Sequence, residues 1–258
     1  MQHISAFQPV ERIDAMIRSR SYAPHRHDTY VFALTLSGAQ CFDYRGEAMV
    51  SVPGQLVILH PDEKHDGRAG TETGFRYRGI SIDPALLQPA LGNRPLPFID
   101  RAVTSDNALV SIIAALLNNI DAPLDADAFE AALVPLADAL CAAAGTPRSP
   151  AIADAEAACR ARDLILETPD RVIGLAELES TTGQNRWQLS RDFAALFGTS
   201  PYRFGQLRRL DRARARLRRG GALADAAYAE GFADQSHFTR QFKSAYGVTP
   251  RQWQALAA

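Results

Sequence analysis

Two stretches of this 258-residue sequence repeat one another. "GQNRWQLSRDFAALFGTSPYRF" begins at Gly183 and "GFADQSHFTRQFKSAYGVTPRQW" at Gly231, a separation of 48. Leu189/Phe238, Arg191/Arg240, Phe193/Phe242, Gly198/Gly247 and Pro201/Pro250 are separated by 49, so one residue has entered the turn. Leu175-Ala176 and Leu223-Ala224 carry the match upstream at 48, which makes the repeated unit a helix, a glycine turn and a second helix. Within the second helix Leu189, Phe193 and Phe197 recur at i, i+4 and i+8, as do Phe238, Phe242 and Tyr246, and each set forms one apolar face. Gly198 and Gly247, each followed by Ser or Thr and then Pro, end those helices.

The opposite faces carry Trp187, Ser190 and Arg191 in the first copy and Gln235, Ser236, Thr239, Arg240 and Lys243 in the second. These side chains can reach base edges and phosphates, and a major groove admits one α-helix. A helical hairpin with such an outer face is what a helix-turn-helix reader of double-stranded DNA requires, although a generic helical repeat would look similar. Trp187 has a second reading, as a partly buried aromatic of the hairpin. Between the copies runs "YRFGQLRRLDRARARLRRG", where Phe204, Leu207, Leu210 and Leu217 make an inner stripe. Arg203, Arg208, Arg209, Arg212, Arg214, Arg216, Arg218 and Arg219 share this segment with one acid, Asp211, an excess that predicts phosphate contact, the alternative being that several of them are merely solvated. A stiff connector would set two readers in successive grooves about 34 Å apart.

Charge divides the chain in the same place. Residues 151–258 hold 16 Arg or Lys against 12 Asp or Glu, the remainder 12 against 17, so the C-terminal part is the expected partner of a polyanion. Hydrophobic residues at 47% argue against a disordered tail, and no apolar run reaches the length of a bilayer span. Cys41, Cys141 and Cys159 are unpaired in spacing and predict reduced thiols in a cytoplasmic protein with no membrane contact.

From Arg12 to about Asp83, short alternating runs between glycine-rich turns predict a small β-barrel or sandwich. Leu109, Ile112, Ile113, Leu116, Leu117 and Ile120 mark one amphipathic helix. Phe129, Leu133, Leu136 and Leu140 mark another, with Pro135 a candidate kink. Those stripes either pack on their own domain or serve a homodimer. "AGTPRSPA", Ala144 to Ala151, is the expected linker, dividing a domain of residues 1–146 from one of residues 152–258.

"LAELESTTGQNRWQLSRDFAALFG" with "ADAAYAEGFADQSHFTRQFKSAYGVTPRQW" closely resembles the AraC family of bacterial transcription regulators, over about residues 160–255. The resemblance implies a double helix-turn-helix whose base-reading positions fall on Trp187, Ser190 and Arg191, and on Gln235, Ser236, Thr239 and Arg240. It also implies promoter DNA and RNA polymerase as partners, with activation the commoner outcome. "PHRHDTYVFALTLSGAQCFDYRGEAMVSVPGQLVILHPDEKHDG" resembles, more loosely, the cupin-type sensor domain attached to such readers. The expected fold is therefore α+β in two domains, a cupin-like barrel with following helices and an all-α reader.

In metal-bearing cupins a carboxylate follows the first histidine pair. Here His25, His27 and His65 keep three imidazoles without that carboxylate, and Asp28 on an expected strand would face the other way. Three imidazoles suit Zn, Fe, Ni or Cu, but the pattern favours a metal-free pocket, so no metal or other cofactor is assigned. His25, His27, Tyr30, Tyr44, His65 and Arg76 are the expected lining of a small-molecule effector site in the barrel, with Glu63 a further neighbour. The leading expectation is an effector-controlled, sequence-specific activator. A metal-dependent cupin enzyme fused to a DNA reader and an architectural DNA binder are the alternatives.

Overall fold

The computed structural model describes residues 3–7, 10–18, 22–145, 154–169 and 171–257. The expected linker from residue 146 onward, and with it the expected domain boundary, lies outside the described residues.

Among the described residues nine strands come first: β1 (His3–Phe7), β2 (Val10–Ile17), β3 (Tyr22–His25), β4 (Tyr30–Gly38), β5 (Gln40–Tyr44), β6 (Glu47–Ser51), β7 (Leu56–Leu59), β8 (His65–Ala69) and β9 (Phe75–Ile82). Helix α1 (Pro84–Leu91), strand β10 (Val103–Thr104) and helices α2 (Asn107–Leu116) and α3 (Ala126–Ala144) follow. One sheet has the order β1-β2-β9-β4-β7-β10, and a second has the order β3-β8-β5-β6, with antiparallel pairing throughout.

The larger sheet is covered on both faces. Alternate residues of β4 and β7 divide between two cores: Phe32, Leu56 and Ile58 join α1, α2 and α3, whereas Ala33, Val57 and Leu59 meet Phe42 and Tyr44 of the smaller sheet. This is why the run "LVIL" is buried at every position rather than at every second one. The apolar stripes of α2 and α3 pack on this sheet, with Leu109, Ile113, Leu136 and Leu140 fully buried. Helix α2 ends at Leu116, earlier than its stripe predicts, and Leu117 and Ile120 reach the core from the turn that follows. Helix α3 runs through Pro135 as one element.

The C-terminal region is helical: α4 (Ala155–Glu167), α5 (Leu175–Thr182), α6 (Arg186–Phe197), α7 (Pro201–Arg218), α8 (Leu223–Ala229), α9 (Gln235–Tyr246) and α10 (Pro250–Ala257). The repeat is realised as α5–α6 and α8–α9. Its apolar faces form two separate cores, Leu189, Phe193 and Phe197 in one and Phe238 and Phe242 in the other, with α7 contributing Phe204 to the first and Leu207, Leu210 and Leu217 to the second. No helix among the described residues is long and apolar enough to cross a membrane.

Candidate nucleic-acid interface and its seam with the sandwich

Each outer helix of the repeat starts on a side-chain cap. Asn185 Oδ1 accepts from the Trp187 and Gln188 amides at 3.1 and 3.0 Å, and Asp234 Oδ1 accepts from the His237 amide at 2.6 Å. Asn185 and Asp234 occupy equivalent repeat positions and satisfy amides a helix start leaves unpaired. The first turns beyond these caps present the predicted readers. Trp187 is 71% exposed, with the Arg186 guanidinium 5.7 Å from its ring centre, so its reading as a buried hairpin aromatic is set aside. Arg191 is exposed and donates to Gln188 Oε1 at 2.5 Å, and Ser190 is half-buried. On α9, Gln235, Ser236, Arg240 and Lys243 are exposed and Thr239 is half-buried.

The other ends of both helices rest on the sandwich. Gly198 and Gly247, the equivalent stop positions, adopt left-handed backbone with φ of 74° and 71°. A Cβ on Gly198 would lie 2.3 Å from Pro61 Cβ, and one on Gly247 would lie 2.9 Å from His25 Nδ1. Around the first stop, Leu96 N donates to Ala195 O at 2.8 Å, buried Gln88 Nε2 to Leu196 O at 2.7 Å, and Thr199 Oγ1 to Asp62 Oδ2 at 3.0 Å. Around the second, Arg26 N donates to Ser244 O at 3.1 Å.

Most arginines of the α7 segment have partners within the protein. Arg208 donates to both Asp28 oxygens at 2.8 and 3.0 Å, Arg203 Nε lies 2.5 Å from Asp62 Oδ1, and Arg214 pairs with Glu11. Burial works against the Arg208 charge, but Asp28, Asp211 and Asp83 outweigh it and raise its pKa. Arg212 and Arg216 hold Glu230 at 2.7 and 2.8 Å, and Arg209 donates to the carbonyls of Glu230 and Gly231. Arg218 lies over the Trp253 ring, and Arg219 Nε donates to the helix's own Ala215 O at 3.3 Å. Acids distant in sequence thus take three of these cations across the seam, which local composition cannot reveal. Asp28 lies beyond β3 rather than on it, which frees its carboxylate to face α7.

The expected effector lining is dispersed. Tyr30 is buried in the core between the larger sheet and the helices, and its hydroxyl donates to Pro97 O at 2.5 Å. Tyr44 is buried between the sheets. Arg76 sits on the outer face of β9, fork to fork with Asp14 at 2.8 and 2.9 Å. Strand position alone did not distinguish the two faces of a sheet covered on both sides.

His25, His27 and His65 do come together, and one ring nitrogen of each lies within 4.8 Å of the other two. Burial lowers all three pKa values, His65 to about 3 and His27 well below the ordinary value. Such a cluster can hold a transition metal. A fourth histidine, His60, closes the apolar run "LVILH", and nothing in that run marks it as a site residue. Ile99 N donates to its Nε2 at 2.9 Å, so its Nδ1 carries the proton and donates to Tyr44 Oη at 2.8 Å. Burial lowers its pKa to about 4.

Between β3 and α9 a cleft of about 470 Å³ is lined by His25, Arg26, Lys64, Arg240, Lys243 and Ser244 among others. Two predicted DNA-reading residues therefore also line the seam.

Comparison with known proteins accords with this architecture. Residues 7–137 match the AraC-like ligand binding domain family and residues 178–255 a helix-turn-helix domain family. An uncharacterized HTH-type transcriptional regulator of Bacillus subtilis, YbfI, is 24% identical over 224 residues, 84% of this chain and 82% of that protein. ToxT from Vibrio cholerae superimposes with a TM-score of 0.67 at 13% identity, over 96% of this chain and 98% of its own. ToxT solved with an unsaturated fatty acid bound gives 0.62 at 14%, over 95% and 94%. At these identities the structural likeness is one of fold.

Proposed function

The chain belongs to the AraC family of transcriptional regulators, a regulator and not an enzyme, and from that premise we propose how it reads and responds. The first turns of α6 and α9 enter successive major grooves of promoter DNA. Trp187, Ser190 and Arg191 read one segment, and Gln235, Ser236, Thr239, Arg240 and Lys243 the next. Arg191 and Arg240 are suited to bidentate contact with guanine and Gln235 to adenine. The 18-residue α7 is about 27 Å long, a length compatible with neighbouring grooves.

The observation that carries the reading is that both outer helices are capped and exposed at their N-terminal ends while both C-terminal glycines rest on the sandwich. The sandwich touches both readers, so a ligand that prefers one arrangement of the seam shifts DNA affinity. Arg26, Lys64, Arg240 and Lys243 around the cleft favour an anionic small-molecule effector. The output is activation through RNA polymerase, and the active form is a homodimer.

Fluorescence anisotropy against a duplex recovered by selection from random DNA, and against scrambled DNA at two salt concentrations, tests this. Wild type should prefer the selected duplex, and Arg191→Ala or Arg240→Ala should each lose about 1–3 kcal/mol of that preference. Equal binding of all duplexes by wild type would sink the proposal.

A further inference from the structure

We propose that Arg212 is a positioning residue that sets the spacing between the two reading helices, by bracing one helix-turn-helix unit against the other. The inference rests on the DNA reading above and names what fixes the separation of the two segments read.

The two units share little else. Their cores have no residue in common, and each closes on its own part of α7, Phe204 for the first and Leu207, Leu210, Ala213 and Leu217 for the second. Apolar packing is non-directional and fixes a register less sharply than hydrogen bonds of set length and angle. Arg212 lies in neither core and reaches both units. Its Nη2 donates to Pro169 O at 2.7 Å, in the loop that leads to α5, and its Nε donates to Glu230 Oε2 at 2.7 Å, in the turn between α8 and α9. A guanidinium is planar and its donors are fixed relative to one another, so one side chain holds two points that belong to different readers.

Both points are themselves anchored. Arg171, two residues beyond Pro169, pairs fork to fork with Glu177 of α5 at 2.7 and 2.5 Å. The Glu230 side chain is 3% exposed and accepts a second bond from Arg216 at 2.8 Å, while Arg209 donates to the Glu230 carbonyl at 2.6 Å. Asp234, the cap of α9, follows four residues later.

The duplication shows what is particular to the second copy. Thr182 stands 48 residues before Glu230, and in both copies an arginine of the helix before the unit donates to that residue's carbonyl, Arg160 to Thr182 O at 2.9 Å and Arg209 to Glu230 O. Gly183 and Gly231 then turn the chain alike, with φ of 72° and 67°. Only the side chains differ. Thr182 Oγ1 donates to Leu178 O of its own helix at 2.8 Å, whereas the Glu230 carboxylate reaches across to Arg212 and Arg216 of α7. The first copy makes the same turn without a carboxylate, so the turn is not what the buried charge serves.

One added base pair moves the next groove by about 3.4 Å along the axis and about 35° around it. A hydrogen bond of 2.7 Å has about 0.5 Å of stretch before it leaves the normal range, so on a lengthened site the brace breaks or one reader leaves its groove. Pro169, Arg212 and Glu230 all lie in the helical region, so the brace acts whichever arrangement the seam with the sandwich adopts.

The test measures anisotropy of the full chain on the selected duplex and on duplexes with one base pair inserted or removed between the two segments, which Arg191→Ala and Arg240→Ala assign. Wild type should lose about tenfold or more on either altered duplex, the worth of one charge-assisted hydrogen bond. Arg212→Lys keeps the charge but not the fork, and Glu230→Gln keeps the shape but not the charge; each should lose about threefold or less. The double variant should be no more relaxed than either single one. Arg216→Ala, which leaves the Pro169 contact in place, should keep the wild-type profile. A spacing penalty unchanged in Arg212→Lys and Glu230→Gln overturns the brace, as does an equal loss at every spacing, the mark of a role in folding alone. A salt slope lowered by about one in Arg212→Ala at every spacing would make Arg212 a phosphate contact instead. Wild type with no preference for the selected duplex sinks the DNA reading itself, whereas a preference indifferent to spacing sinks only the brace.

Discussion

The two helix-turn-helix units share a repeat but not a mode of attachment. The first is joined to the sandwich by side-chain and backbone hydrogen bonds around Gly198, and its core takes in Ala85 of α1. The second has a core built wholly from α7 to α10 and the residues joining them, and meets the sandwich through polar contacts: the Arg26–Ser244 backbone hydrogen bond, the Arg214–Glu11 pair and the histidine edge at Gly247. Apolar continuity costs more to separate than a polar seam that water can re-satisfy. On that ground the first unit should be the more firmly held reader and the second the easier to release.

The largest test of that contrast is Arg208→Ala. It strands buried Asp28 and should cost about 3–5 kcal/mol, seen as a lower denaturant midpoint. An unchanged midpoint would show that α7 is not held by the sandwich. Next come the two stop glycines. Gly198→Ala combines left-handed backbone with a 2.3 Å clash against proline and should lose roughly 2–4 kcal/mol. Gly247→Ala carries the same left-handed strain but meets His25 Nδ1 at 2.9 Å and Ala23 O at 3.2 Å, longer approaches than at Gly198, and should lose less. The reverse order would invert the comparison.

DNA binding sharpens it further. Arg191→Ala should cost the selected duplex about 1–3 kcal/mol. Arg240→Ala should fall at the low end of that range while α9 remains docked, and match Arg191→Ala once Arg26→Pro removes the amide bonded to Ser244. Additive losses in the docked protein would mean that both readers engage together.

A pH series gives the gentlest probe. His60 immediately precedes Pro61 and Asp62, which seat the first unit, and its pKa is lowered from 6.5 to about 4. Its contribution is fully present above pH 6.5, because both folded and unfolded chains then hold it neutral. As pH falls from 6.5 towards 4 the unfolded chain alone takes the proton, and stability drops by up to about 1.4 kcal/mol per pH unit. Thermal melts of His60→Gln should fall less steeply than wild type, retaining the slope of the three clustered histidines. Parallel curves would show that His60 does not seat that loop.

The fold was legible wherever periodicity acts locally. The 48–49-residue echo, the stop glycines and the alternating runs translate into α5–α6, α8–α9 and β2–β9 because each depends on neighbours within one or two turns. The readers on α6 and α9 were placed on exposed faces by the same logic. Arg76, Tyr30 and Tyr44 were not, since strand alternation gives two faces and does not say which core each face meets. Asn185 and Asp234, at equivalent repeat positions, carry the signal for both caps.

By itself the sequence determined that this chain builds a duplicated helical reader beside a β-rich region, because helix periods, caps and turns are properties of short segments. Only the tertiary structure decided where the charges go. The basic excess of the C-terminal part and the acidic excess before it partly cancel inside the molecule, through Arg203 with Asp62, Arg208 with Asp28 and Arg214 with Glu11. Those partners lie far apart along the chain, and ion pairing depends on distance in space.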